Sequence, residues 1–219
     1  MAPVGLMSQA KPPEGAVKPI ILLDVDGVLA DFIGHLIAQC ESSGTPMPPR
    51  EDWTFYWDTC LTHEQRSAAY RLLDDQLLRP STGAEFCRTL PVIEGAQEAV
   101  AFLSQIGKVY IVTATWRACA GWEKARRDWL KEHFGIHPRD VISTSEKHLV
   151  RGDLFIDDKP NQVSAWSEAN PFGAARLFHR PHNRGAPFTM QRVHDWRRGS
   201  LEALSLAASA SHFRRETDR

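Results

Sequence analysis

The chain of 219 residues is long enough for one α/β domain with a modest insertion, and its 42% apolar and 24% charged content is ordinary for a globular protein. A formal net charge of -1 supplies no field to draw a nucleic-acid polymer, and no apolar run approaches the ~18 residues that span a bilayer. Neither a membrane nor a nucleic-acid polymer is therefore expected as a partner.

Met1 to Lys18 has no signal-peptide core and reads as a flexible leader. Ile20 to Val25 reads as a strand buried on both faces. A helix follows with Phe32, Leu36 and Ile37 on one face, then a breaker-rich loop from Ser42 to Pro49 and an aromatic cluster of Trp53, Phe55, Tyr56 and Trp57. Thr62, with Gln65 three residues on, forms a capping box for a helix to about Leu73. Gly83 to Phe86 leads through Pro91 and Gly95 into a helix from Ala96 to Ile106, ended by Gly107. A strand, Val109 to Thr113, and a helix, Trp122 to Phe134, stopped by Gly135, come next. Val141 to Thr144 and Leu154 to Ile156 read as further strands, and Ala174 to Phe178 as the last one. A helix is expected from about Met190, amphipathic near Val193 and Trp196, with a frayed polar tail from His212 to Arg219.

Strands alternating with helices indicate a Rossmann-like, mostly parallel sheet with helices on both faces. Its core comprises residues 19–31 and 92–211. Residues 32–91 break the alternation, being helical, aromatic and strand-poor, and read as a small helical cap inserted after the first strand. Cys40, Cys60, Cys87 and Cys119 are far apart and form no Cys-x-x-Cys, which points to reduced thiols in a cytoplasmic protein.

Two acid pairs carry the chemistry. Ile20 to Leu23 runs straight into Asp24-Val25-Asp26, with Gly27 free to turn, and Leu154 to Ile156 runs into Asp157-Asp158. Carboxylates at the carboxyl ends of buried parallel strands stand where open α/β sheets place their ligands. Either pair alone is an ordinary turn. Together they can converge on one cation, and magnesium suits them because it takes oxygen ligands and commonly uses only one or two carboxylates plus a phosphate. Without a cation the carboxylates would raise one another's pKa.

On these motifs the chain resembles the haloacid dehalogenase-like superfamily of aspartate-nucleophile phosphatases, and within it the 5′(3′)-deoxyribonucleotidases. The resemblance covers roughly residues 19–198 and rests on Asp24-x-Asp26, Thr113 at the end of an apolar strand, Lys147, and Asp157-Asp158, in that order. It implies Asp24 as nucleophile, Asp26 as general acid and base, Thr113 as a donor to phosphate, and Lys147 as a positive charge against Asp24 and phosphate. It further implies a magnesium ion on Asp24, the Asp26 backbone carbonyl and Asp157, with Asp158 bound more remotely. The base would lie among Phe32, Tyr56, Trp57 and Phe86, with Lys159 nearby; the alternative is that the aromatics, Trp53 above all, form the core of a small cap. Ala114 stands where the family often has a second hydroxyl, which leaves the sugar preference open. The implied substrate is a small nucleotide; a homodimer is compatible with the sequence. A phosphatase of the same mechanism for another small ester, and a catalytically silent binding protein, are the alternatives.

Overall fold

A computed structural model describes residues 17–54, 56–74 and 82–217. Phe55 and most of the leader therefore lie outside the described residues, as do residues 75–81 and 218–219. The strands are β1 (Ile20–Leu23), β2 (Lys108–Thr113), β3 (Val141–Ser143), β4 (Leu154–Asp157), β5 (Ala174–Phe178) and β6 (Arg192–Val193). The helices are α1 (Phe32–Ser42), α2 (His63–Leu73), α3 (Thr82–Arg88), α4 (Ala96–Ile106), α5 (Trp122–Phe134), α6 (Pro160–Ala169) and α7 (Arg198–Thr217).

All strands pair in parallel, in the order β3-β2-β1-β4-β5-β6. Chain progression runs outward in one direction from β1 and then in the other from β4. Such a reversal opens a crevice at the carboxyl ends of the two central strands. β1 is apolar throughout because both of its faces are covered. Ile21 and Leu23 enter the larger core with Val100 and Leu103 of α4, Trp129 of α5 and Leu204 of α7. Leu22 points the other way, to Val112, Phe155 and Trp166 of α6.

β1 ends at Leu23 rather than at the expected Val25. The Asp24 N–H still bonds to Ile156 O at 2.9 Å, and the chain then folds back, with Leu29 and Ala30 N–H donating to Val25 O. Gly27 makes this turn possible twice over: its φ is +76°, and a Cβ there would stand 1.8 Å from Asp158 Oδ2.

The segment between β1 and α4 holds α1, α2, α3 and the 3₁₀ turns Arg50–Asp52 and Trp57–Cys60, with no named strand among its described residues. The Thr62 capping box is present, Thr62 N–H donating to Gln65 Oε1 at 3.0 Å and Gln65 N–H to Thr62 Oγ1 at 3.3 Å. α3 was not expected, since Gly83 argues against a helix start. It forms because it is wedged between neighbours: a Cβ on Gly83 would meet Leu73 O at 2.5 Å, and one on Gly121 would meet Ala84 Cβ at 2.9 Å. Close packing here outweighs helix propensity.

The C-terminal region corrects the sequence reading. The expected helix from about Met190 begins only at Arg198, and Val193 instead lies in β6, pairing with Phe178 of β5. A two-residue edge strand has no periodicity to detect. Trp196 is buried, its indole N–H donating to Val28 O at 2.9 Å. α7 continues to Thr217, past His212 where the tail was placed, because His212 and Arg215 approach the buried Asp153 carboxylate at 3.3 and 3.1 Å. All four cysteines are free thiols. No described helix is long and apolar enough to cross a membrane.

Candidate active site

The crevice gathers the acids. Asp24 follows β1, Asp157 ends β4, and the register sets Leu23 beside Ile156, so the two carboxylates emerge side by side. Carboxylate oxygens of Asp24, Asp157 and Asp158 lie within 4.8 Å of one another, and all three residues are buried. Lys147 enters from the 3₁₀ turn Lys147–Leu149. Its Nζ stands 2.7 Å from Asp24 Oδ1 and 2.7 Å from Asp157 Oδ2. The Lys159 backbone N–H donates to the other Asp157 oxygen at 2.7 Å.

Burial pushes the Asp24 carboxyl up to about 8; the Lys147 ammonium opposes the rise, while Asp157, Asp158 and Asp26 add to it. Asp157 is raised for the same reason, by burial first. Burial alone would lower Lys147, but Asp157 and Asp24 outweigh it and hold the ammonium above its ordinary value. One buried ammonium is thus shared between Asp24 and Asp157, and both carboxyls stay above their ordinary values. The donors are all oxygens, the set that hard cations take. The group can hold a metal ion, which would favour the ionised carboxylates.

Thr113 ends β2 and is 2% exposed. Its Oγ1 is buried without a hydrogen-bond partner among the described residues. An unsatisfied buried hydroxyl costs about 1–3 kcal/mol, and this one lines the same cavity as Asp24 and Lys147, where an anionic oxygen would satisfy it. Asp26 also lines the cavity, but its carboxylate is not in the three-acid group. Both of its oxygens accept from Arg126 Nη2 of α5, at 2.7 and 2.8 Å.

The cavity has a volume of about 450 Å³. Phe32, Tyr56, Trp57, Ala114 and Lys159 line it. Phe86 does not: it is 4% exposed and packs behind, its ring centroid 5.5 Å from Phe32 and 6.3 Å from Trp122. Trp53 is 2% exposed, with its indole N–H donating to Pro48 O at 3.0 Å, and belongs to the interior. Rings form a continuous series along the wall, Trp57 to Tyr70 at 5.4 Å, Tyr70 to Trp116 at 6.2 Å and Trp116 to Trp122 at 6.4 Å.

Sequence reasoning missed several members of the site. Tyr70, Trp116 and Trp122 complete the aromatic wall. His182 Nε2 stands 2.8 Å from Asp158 Oδ2. Arg180 donates from Nε to Gly27 O at 2.6 Å, and Arg50 pairs with Asp31 through both guanidinium nitrogens at the cavity edge. Arg126 carried a usable signal, a charged residue on the face of α5 otherwise made by Trp122, Ala125, Trp129 and Leu130. Tyr70 and Trp122 lie on α2 and α5, where an aromatic residue reads as core, and Trp116, Arg50, Arg180 and His182 come from loops and single turns with no periodicity to mark them.

A family model described as "5' nucleotidase, deoxy (Pyrimidine), cytosolic type C protein" matches residues 18–209. A 5'(3')-deoxyribonucleotidase of Bacillus subtilis is 30% identical to this chain over 169 residues, covering 77% of this chain and 89% of the relative. The cytosolic-type 5'(3')-deoxyribonucleotidase of Homo sapiens is 30% identical over 204 residues, covering 87% and 96%. Among solved structures, a haloacid dehalogenase-like family hydrolase from Streptococcus pneumoniae shares the fold with a TM-score of 0.50 at 16% identity, covering 86% of this chain and 98% of its own. The matched residues take in every strand of the sheet and all the acids at its carboxyl edge, and the chain belongs to this 5′-nucleotidase family.

Proposed function

We propose that this protein hydrolyses (deoxy)nucleoside 5′-monophosphates to nucleoside and inorganic phosphate, in a magnesium-dependent reaction through an aspartyl-phosphate on Asp24. One observation carries the reading: the Lys147 ammonium and the Thr113 hydroxyl, which has no hydrogen-bond partner among the described residues, line an aromatic-walled cavity with Asp24, a member of the three-acid group.

An oxygen of Asp24 attacks phosphorus, and the bond from phosphorus to the 5′ oxygen breaks. The departing electron pair stays on that oxygen, which takes a proton from Asp26. Water then attacks phosphorus, Asp26 takes its proton, and the bond to Asp24 breaks to restore the carboxylate. Splitting the displacement in two in this way replaces a poor nucleophile with a positioned one. Thr113 donates to a phosphate oxygen, and Lys147 keeps positive charge beside the attacking carboxylate. Asp24, Asp157, Asp158 and the Asp26 backbone carbonyl would hold magnesium, whose charge would offset the repulsion between carboxylate and phosphate. Residues 32–91 serve as the cap, with Phe32, Tyr56 and Trp57 offering faces to the base and Lys159 beside it. The small nucleotide is the partner, and a cytoplasmic setting suits the four free thiols.

A panel of nucleoside monophosphates, sugar phosphates and aryl phosphates, assayed with magnesium and with chelator, tests the reading. Nucleotides are expected to be turned over best, and only with the metal. Sugar phosphates far outpacing every nucleotide would move the substrate class; no phosphate release from any ester would leave a binding protein.

A further inference from the structure

We infer that Arg126 is a positioning residue for Asp26: a guanidinium buried behind the cavity that fixes where the general acid–base carboxylate presents its oxygens. The inference rests on the nucleotidase reading above.

Arg126 is 2% exposed on the otherwise apolar buried face of α5. A charge in such a place needs a partner. Asp26 is its ion-pair partner among the described residues, with a single nitrogen, Nη2, reaching both carboxylate oxygens. Arg126 Nε and Nη1 are also buried and have no hydrogen-bond partner there, while the guanidinium carbon lies 5.3 Å from the Trp122 ring centre. The guanidinium is therefore held by packing on one side and by Asp26 on the other.

The Asp26 backbone is held in a bridge with Ala30, but among the described residues no hydrogen bond from its own turn reaches its carboxylate. Asp26 follows the end of β1, precedes the positive-φ Gly27, and its side chain is one-third exposed to the cavity. The contact from α5, one hundred residues away in sequence, therefore supplies the direction of the carboxylate. The contact has a second consequence. It draws the Asp26 carboxylate away from the group of Asp24, Asp157 and Asp158, so that a cation is met by three acids rather than four. Arg126 does not line the cavity, and its influence on a substrate passes through Asp26.

The test compares Arg126→Met and Arg126→Lys with the natural protein, with magnesium, on a nucleoside 5′-monophosphate and on p-nitrophenyl phosphate. The ratio kcat/KM reports the steps through loss of the first product. The nucleotide's alkoxide needs a proton to leave, whereas p-nitrophenolate hardly does. In Arg126→Met the nucleotide value is expected to fall about 10²-fold, the low end of what a general acid supplies. The aryl ester should lose less than about fivefold on the same reasoning, and Arg126→Lys should show the same selectivity with a smaller loss. A crystal structure of each variant reads the geometry without activity: the Asp26 carboxylate is expected to leave its present place in Arg126→Met. Equal losses on both esters, no loss on either, or an unmoved Asp26 would overturn the inference. Should Arg126→Met fail to fold by circular dichroism, Arg126→Lys decides by the same two readouts. A natural protein that cleaves neither ester would sink the nucleotidase reading alone, and the position of Asp26 in the variant crystals would still settle this one.

Discussion

The floor of the cavity and its aromatic wall are built on different principles. The floor hangs on paired strands: β1 and β4 fix the Asp24 and Asp157 backbones by register, and buried ion pairs fix the side chains at 2.7 Å. The wall is drawn from α1, α2, the first residue of α5, the Trp57–Cys60 turn and the loop after β2, and its rings meet through tilted faces with centroids 5.4 to 6.4 Å apart. Directional contacts suit a reaction that tolerates little misplacement, and face contacts suit recognition of a flat base that need not be held by hydrogen bonds. Mutations on the floor should therefore act on kcat, and mutations on the wall on KM.

The sharpest break of that contrast is Asp24→Asn. Turnover of a nucleotide is expected to drop by roughly 10⁴-fold or more, the order seen when the nucleophile of a covalent mechanism is removed, while the fold persists because Lys147 keeps Asp157 as a partner. A rapid-quench search for acid-stable phosphoprotein should find label in the natural protein and none in the variant. Turnover within tenfold of natural would take Asp24 out of the mechanism. Asp26→Asn comes next, at about 10²- to 10⁴-fold in kcat. Asparagine keeps one oxygen for Arg126 Nη2 but not the charge, so the fold should persist with a melting temperature lowered less than in Asp26→Ala, which strands the buried guanidinium altogether. A natural rate in Asp26→Asn would contradict its role.

Charge on the floor predicts a pH effect with a definite sign. Between the ordinary carboxyl value of 3.8 and about 8, folded Asp24 keeps a proton that the unfolded chain has lost. Raising the pH through that window therefore removes stability from the metal-free protein. Magnesium needs the ionised acids, so its binding releases protons and strengthens as pH rises. The increase in melting temperature on adding magnesium should thus be larger near pH 8 than near pH 6, and the difference should shrink in Asp24→Asn. An equal increase at both values would mean that burial of Asp24 does not govern the site.

The same contrast explains what could be read from the sequence. The acids on the floor were legible because each follows an apolar run that can only be a buried strand, and Lys147 because the family motif fixes its place ten residues before Asp157. Their supports were not: Arg126 reaches Asp26 across one hundred residues, and His182 reaches Asp158 from a loop after β5. Phe32, Tyr56 and Trp57 reached the cavity while Phe86 turned inward, since aromatic type says only that a ring wants burial and not which neighbour will bury it. β6 escaped notice because two residues have no period, and α3 because its Gly83 serves close packing rather than a turn.

Two neighbouring tryptophans offer the finest test, since they differ in place and not in kind. Trp57 faces the cavity and Trp53 lies beneath it, their rings 6.3 Å apart. Trp57→Ala is expected to raise KM for a nucleotide about tenfold with kcat nearly unchanged, because stacking on a base is worth about 1–3 kcal/mol and acts alike on ground and transition states. Trp53→Ala removes a buried ring and the hydrogen bond to Pro48 O, which should cost about 3–5 kcal/mol of stability and leave KM alone at temperatures where the variant is folded. Denaturant titration and steady-state kinetics on both variants separate the two effects. If Trp53→Ala moved KM as far as Trp57→Ala did, the wall would be acting through its overall shape, and the division between a face that binds and a face that packs would fail.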